Sequence, residues 1–272
     1  MFRRTQTRRP IDEVIDEVRR ISKRSTLIFF VDDNITSNPD DAKALFRALI
    51  PLHLRWVSQA SIDVAHDEEM LDLLGRSGCQ GVLIGFESLH ADNLGAMQKR
   101  FNLMNGGFER ALARLAQHGI RVYGTFIFGY DQDTPETFGR TVDFAISHGL
   151  YIAAFNHLTP FPATPLYQKL EVEDRLLHDT WWLDDAYRYN QVPFRPKRMS
   201  PESVQRACLE ARRRFYGWPS ILRRCRHRPN RKNAFMFRNY FLINALHRAD
   251  VSGRDGFPLG DEAWTGPLLK AG

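Results

Sequence analysis

The stretch VYGTFIFGYDQDTPE, residues 122–136, decides the fold. It opens with apolar and β-branched residues, breaks at Gly129, turns through aspartates, and reaches Thr134-Pro135-Glu136. A Ser or Thr followed by Pro and Glu is a helix start: the hydroxyl caps an orphan N–H and Pro tolerates the first turn. The spacing therefore predicts a strand over 122–128, a polar turn, and a helix from 134 that closes at Gly149.

The same unit recurs on both sides. Upstream, an amphipathic helix is expected over 10–23, with Ile11, Val14, Ile15, Val18 and Ile21 on one face. An apolar run over 26–31 reads as a strand buried on both sides. A helix then starts at Asn38-Pro39 and runs to 49. Strands are expected at 54–60 and 81–86, with helices at 67–77, stopped by Gly78, and at 106–118, where Phe108, Leu112 and Leu115 form a stripe. A further strand follows at 152–158. Alternating strands and helices imply a parallel sheet with right-handed crossovers. The expected class is α/β, a partial parallel (β/α) barrel of about five strands.

Past residue 170 the pattern changes. Residues 171–199 carry Trp181, Trp182, Tyr187, Tyr189, Pro193 and Pro196 and read as an extended segment wrapping the barrel. Helices are expected at 200–216, opened by Ser200-Pro201-Glu202, and at 233–248. Three regions follow: a barrel core over 1–170, an aromatic and basic helical extension over 171–250, and a loosely held tail over 251–272.

The composition, 43% hydrophobic and 26% charged, is that of a globular chain. No run of about eighteen apolar residues occurs, and IDEVIDEVRRI (11–21) is no secretory h-region. Cys79, Cys208 and Cys225 are scattered without metal or redox spacing, which points to reduced thiols and a cytoplasmic setting. The net charge of +6 is concentrated over 195–254, where Glu202, Glu210 and Asp250 stand against many arginines. Such a stripe suits nucleic acid, an anionic membrane surface or an acidic partner, and equally a solvated helical face.

Ligands in parallel β/α folds bind where strands end. Polar residues cluster there: Asp32, Asp33 and Asn34, then Gln59, then Glu87 and Ser88, then Gly129 onward, then Asn156, His157 and Thr159. A carboxylate and an amide oxygen suit a protonated amine; an Asx turn would use the same residues. Glu87 follows an otherwise apolar strand and needs a partner there, a ligand or an arginine. Gly124 and Gly129 flank Phe126 and Phe128, a pattern that lets backbone approach a flat ring or simply packs. His157 is open to either a cavity-facing or a structural role.

As a set, FFVDDN (29–34), WVSQAS (56–61), GVLIGFES (81–88), GTFIFGYDQDTPET (124–137) and FNHLTPFPATPLY (155–167) resemble the core of the radical SAM superfamily, most closely the class with a cobalamin-binding domain. YNQVPFRPKRMSP (189–201) resembles a segment after that core. The resemblance implies five of six barrel strands. It implies S-adenosylmethionine as cosubstrate, held by Asp32, Asp33, Asn34, Gln59, Glu87, Ser88, Gly124, Phe126, Phe128 and Gly129, with Asn156, His157 and Thr159 toward a small-molecule substrate. Family members also carry a 4Fe-4S cluster on a CxxxCxxC loop and, in this class, cobalamin. Neither the loop nor a cobalamin domain occurs here, and no metal ligands are assigned. Ala163 stands where Gly is usual.

The resemblance implies radical chemistry on an unknown substrate, by methylation, hydrogen abstraction or rearrangement. The chain is then expected to be the downstream part of an enzyme whose cluster loop lies in an upstream polypeptide completing the barrel. The alternatives are a cluster-free S-adenosylmethionine binder or partner subunit, and a nucleic-acid-associated protein using the 195–254 stripe.

Overall fold

A computed structural model describes residues 8–96, 107–253 and 255–259. Its centre is one parallel sheet of five strands in sequential order: β1 (Ile28–Phe29), β2 (Trp56–Gln59), β3 (Cys79–Glu87), β4 (Arg121–Phe128) and β5 (Ile152–His157). Helices α1 (Ile11–Ser22), α2 (Pro39–Leu49), α3 (Glu68–Arg76), α4 (Ala91–Ala96), α5 (Gly107–Gln117) and α6 (Pro135–Ser147) precede or follow them. Beyond β5 come α7 (Pro165–Val172), α8 (Pro201–Phe215), α9 (Trp218–Arg224), α10 (Arg228–Arg231) and α11 (Ala234–Asp250). The sheet and its helices form a half-barrel.

The helix starts follow the capping chemistry. Asn38 accepts from the Asp41 N–H at 3.1 Å, and Ser200 accepts from the Ser203 N–H at 3.2 Å. Thr134 and Thr137 form a reciprocal capping box on α6.

Alternation along β3 and β4 divides the sheet into two faces. Ile84, Phe86, Phe126 and Phe128 are buried toward the helices, whereas Leu83, Gly85, Glu87, Tyr123 and Thr125 lie half-buried on the other face. On the helix side Phe86, Phe126 and Phe155 stack with centroids 5.1 and 5.5 Å apart, and Phe128 stacks on Phe138 at 4.2 Å. Such pairs add about 1 kcal/mol each to the area they bury.

Two expectations need correction. Residues 26–31 do not make a strand buried on both sides: only Ile28–Phe29 enter the ladder, and Val31 is 82% exposed. β1 is an edge, with a strand partner on one side only among the described residues, so Phe29 and Val31 are exposed there while Ile28 packs into the core. The 171–199 segment is not uniformly extended, because α7 reaches Val172 and a 3-10 turn spans Trp181–Leu183. Within that turn Trp181 donates its indole N–H to the Pro160 carbonyl at 2.9 Å. α9 and α10 were not foreseen.

The described residues past 250 pair with the 188–190 turn: the Tyr189 N–H donates to the Phe257 carbonyl at 2.6 Å, and the Asn190 amide donates to Asp255 at 2.9 Å. The rest of the tail expected to be loosely held, 260–272, lies outside the described residues.

The β5 edge is closed by side chains. The Tyr216 hydroxyl donates to the Ala153 carbonyl at 2.8 Å and accepts from the Ala153 N–H at 3.3 Å. Arg212 Nε donates to the Phe155 carbonyl at 3.0 Å. Behind them the buried Arg224 donates to Leu150, Phe215 and Asn244 at 2.8–2.9 Å and lies 3.7 Å from the Phe215 ring centroid. Burial pulls its pKa down to about 10. With every guanidinium nitrogen bonded, Arg224 joins α8, α9, α11 and the start of β5.

Candidate functional site

At the C-terminal ends of β1, β2 and β3, on the sheet face turned away from the helices, lies a 260 Å³ cavity. Asp33, Asn34, Gln59, Gly85, Glu87 and Thr125 line it. A 540 Å³ groove between α1, β1 and α2 adjoins it, with Asn34 in both walls and Asp32 in the groove. Together they reach the size of ordinary small-ligand sites.

Glu87 is placed by an interruption of the ladder. The β3–β4 register shifts between Gly85 and Glu87, and Glu87 adopts a left-handed conformation with φ 62°. A bulge re-aims the side chain that follows it. A non-glycine residue held at positive φ costs about 1–3 kcal/mol and marks sites where geometry is constrained. The carboxylate turns back over Gly85, so a Cβ on Gly85 would meet Glu87 Oε1 at 2.7 Å and Thr125 Oγ1 at 3.7 Å.

The residues expected to hold S-adenosylmethionine, Asp32 in the groove apart, separate into three groups. Asp33, Asn34, Gln59 and Glu87 share the cavity. The Asn34 amide oxygen, expected to meet an amine, instead accepts from the Thr36 N–H and hydroxyl and the Ser61 N–H, at 2.9–3.2 Å. That Asx turn leaves its NH₂ as the group able to face a ligand.

Phe126 and Phe128 lie on the opposite face, in the aromatic layer. The bare side of Gly124 is filled there too: an added Cβ would meet Leu150 at 2.8 Å and Phe86 at 3.1 Å. Thr125 and Ile127, between them in sequence, and Tyr123 before them make up the other face of β4, and of these Thr125 lines the cavity. Strict alternation is the signal that identifies them.

Ser88 and Gly129 belong to a buried clamp. Ser88 Oγ accepts from the His90 N–H and from Asn93, both at 3.1 Å. Asn93 also donates to Asp133 Oδ1 at 2.8 Å, and Asp133 Oδ2 accepts from the N–H groups of Gly129 and Tyr130 at 2.9 and 3.1 Å. Burial raises the Asp133 pKa against those hydrogen bonds. The clamp ties the loops after β3 and β4 together; Asn93 carried no sequence signal because its partner lies forty residues on.

Asn156 lies at a second, 230 Å³ cavity with Tyr123, Ala154, Arg212 and Tyr216, and accepts from Arg212 at 3.3 Å. His157 and Thr159 bond locally. The imidazole Nδ1 is 3.2 Å from the Leu158 carbonyl, and Thr159 Oγ1 donates to the His157 carbonyl at 3.4 Å. Burial holds the His157 pKa below its ordinary value.

A parallel half-barrel with a polar cavity at its strand ends is the architecture seen here. A family model described as the radical SAM superfamily matches residues 1–145. The chain belongs to that superfamily. Bacteriochlorophyllide d C-12(1)-methyltransferase from Chlorobaculum tepidum is 35% identical over 244 residues, 88% of this chain and 52% of that protein. Hopanoid C-2 methylase from Rhodopseudomonas palustris is 30% identical over 158 residues, 56% of this chain and 30% of that protein. The chain thus spans about half the length of the first relative and less of the second. Among solved structures, the radical S-adenosylmethionine methyltransferase TsrM from Kitasatospora setae, with cobalamin and a 4Fe-4S cluster bound, matches with a TM-score of 0.53. The match is 22% identical and covers 73% of this chain and 41% of that one. It shares the fold.

The residues present do not fit the family's iron–sulfur cluster. Cys79 begins β3, at the end of the sheet opposite the cavity, Cys208 is buried in α8, and Cys225 follows α9. Burial pushes the Cys79 and Cys208 thiols up to about 12, away from the thiolate form a cluster needs. No group of three or more His, Cys, Asp or Glu is placed to hold a metal among the described residues.

Proposed function

We propose that this chain carries the S-adenosylmethionine site of a radical SAM methyltransferase. The observation that carries the reading is the convergence of Asp33, Gln59, Glu87 and Thr125 on one cavity, with Glu87 held there at a conformational cost. S-adenosylmethionine presents an ammonium, a carboxylate, a ribose diol and an adenine. The Asp33 and Glu87 carboxylates would take the ammonium and the diol, and the Asn34 NH₂ would take the carboxylate. Gln59 and Thr125 would supply further hydrogen bonds. Asp32, on the groove side, would contribute charge rather than contact.

Methyl transfer is favoured over other radical chemistry because the relatives above are methyltransferases by name. Their names also point to a carbon centre on a large, mostly apolar small molecule as acceptor. The cavity at Asn156, Tyr123 and Arg212 would lie on the acceptor's side of the half-barrel. The family's cluster would supply the electron for reductive cleavage of S-adenosylmethionine. Its thiolates, and any cobalamin, would come from a polypeptide segment outside this sequence, one that completes the sheet next to β1.

Equilibrium dialysis of the chain against S-adenosylmethionine, without iron, tests the site. The wild type should bind, and Asp33→Asn and Glu87→Gln should each weaken binding at least tenfold at unchanged helicity. No binding, or binding indifferent to both substitutions, overturns the assignment. The second reading, a cluster-free binder, rests on the same cavity. It prevails if the chain purified with its cellular partners binds S-adenosylmethionine but contains no iron.

A further inference from the structure

From Arg212 to Ala249 the chain contains no Asp or Glu. Several of its cations are used internally: Arg212 and Arg224 bond backbone carbonyls, Arg214 pairs with Asp143, and Lys232 bonds the His118 carbonyl at 3.1 Å. Arg223, Arg226, Arg238 and Arg248 remain exposed, with no ion pair to any described residue.

Between these cations the surface is apolar. α11 buries Met236, Tyr240 and Asn244 against the fold, yet its opposite side is not polar. Leu242 is 56% and Leu246 61% exposed, one turn apart, with Ala245 and Ala249 beside them. This exposed apolar stretch is flanked by Arg238 and Arg248 on the same helix. α9 adds Trp218, 48% exposed, and Leu222 one turn on. Arg248 stands 5.9 Å from the Trp218 ring centroid, and the Tyr240 hydroxyl donates to the Ile221 carbonyl at 2.8 Å, so the two helices are neighbours.

We infer that the face made by α9 and α11 docks on an anionic membrane surface. Exposed Leu and Trp flanked by arginines, with Asp250 at the end of α11 the one acid of the two helices, is the make-up of an interfacial helix face. The apolar side chains enter the headgroup boundary, and Trp favours that depth. The arginines meet lipid phosphates, and their stems cover apolar surface as they do so. A phosphate-tracking nucleic-acid surface would use the arginines but would gain nothing from Leu242 and Leu246. No helix among the described residues is long and apolar enough to cross a membrane.

The test is co-sedimentation of the full 272-residue chain with phosphatidylglycerol–phosphatidylcholine vesicles and with phosphatidylcholine alone. The chain should sediment with the anionic vesicles and not with the neutral ones. The triple substitution Arg223→Gln, Arg226→Gln, Arg238→Gln should lower partitioning roughly a hundredfold, about fivefold per arginine. Leu242→Ser with Leu246→Ser should also abolish sedimentation. Bromine-labelled lipid should quench tryptophan emission in the wild type and markedly less in Trp218→Phe, a readout that needs no destabilising change. Failure to bind anionic vesicles, or quenching unaltered in Trp218→Phe, overturns the inference. So does binding that the arginine variant loses and the leucine variant keeps, which marks a nucleic-acid or purely electrostatic surface. Self-association lost in the leucine variant, without vesicle binding, would assign the face to a second copy instead.

Discussion

The carboxylate of Glu87 occupies the space that a side chain on Gly85 would need: Oε1 lies 2.7 Å from the position of a Gly85 Cβ. Two residues of one strand, both on the cavity face, thus depend on each other. Gly85→Ala should push the carboxylate aside and weaken S-adenosylmethionine binding about tenfold, while urea unfolding shifts by less than about 1 kcal/mol. A fall in stability without a fall in affinity would remove Glu87 from the site.

Relieving the left-handed backbone at Glu87 should have the opposite effect on the fold. Glu87→Gly is expected to stabilise the chain by about 1 kcal/mol in urea titration, since glycine adopts φ 62° without a Cβ clash. The same variant should lose cosubstrate binding. A destabilised Glu87→Gly would mean that the carboxylate's own contacts outweigh the strain.

Asp131 supplies a pH-dependent prediction. Burial works against its ionisation, but hydrogen bonds from Lys169 and Lys197 and the charge of Arg175, at 3.0–3.1 Å, hold its pKa at about 2. Its ordinary value is 3.8. The folded pKa is depressed, so the stabilisation is present above about pH 4 and is lost as pH falls toward 2. After allowance for the half-exposed lysines it amounts to about 1 kcal/mol. Unfolding midpoints of wild type and Asp131→Asn should therefore differ at pH 6 and converge near pH 2.

Tyr216→Phe deletes one hydroxyl that serves both backbone groups of Ala153. Leaving them unpaired should cost about 1–3 kcal/mol. Hydrogen exchange should rise first along β5, whose margin then keeps only the Arg212 contact to the Phe155 carbonyl among those described above.

Elements whose signals are local were legible in the sequence. The capped starts of α2, α6 and α8 fall at Asn38, Thr134 and Ser200, and the strand ends fall at the polar clusters. What depends on a neighbour was not. The apolar run at β1 looks like an interior strand until the sheet shows which side lacks a partner. Phe126 and Phe128 read as cavity residues because glycines flank them, yet strand alternation sends them to the helices and brings Thr125 forward. α9 and α10 were hidden in a basic stretch without periodicity, since they are held by Arg224 reaching across to Leu150 and Asn244. Asn93 and Asp133 find each other only once β3 and β4 are paired.

The capping of β5 by Tyr216 and Arg212 gives the sheet a growth polarity. One margin is terminated, like the blocked end of a polymer, and among the described residues further strands can add only at β1. Where no upstream segment covers β1, edge-to-edge sticking between copies would join β1 to β1 about a two-fold axis. That pairing consumes both reactive margins at once, so accidental association by this route stops at two chains and cannot propagate into a fibre.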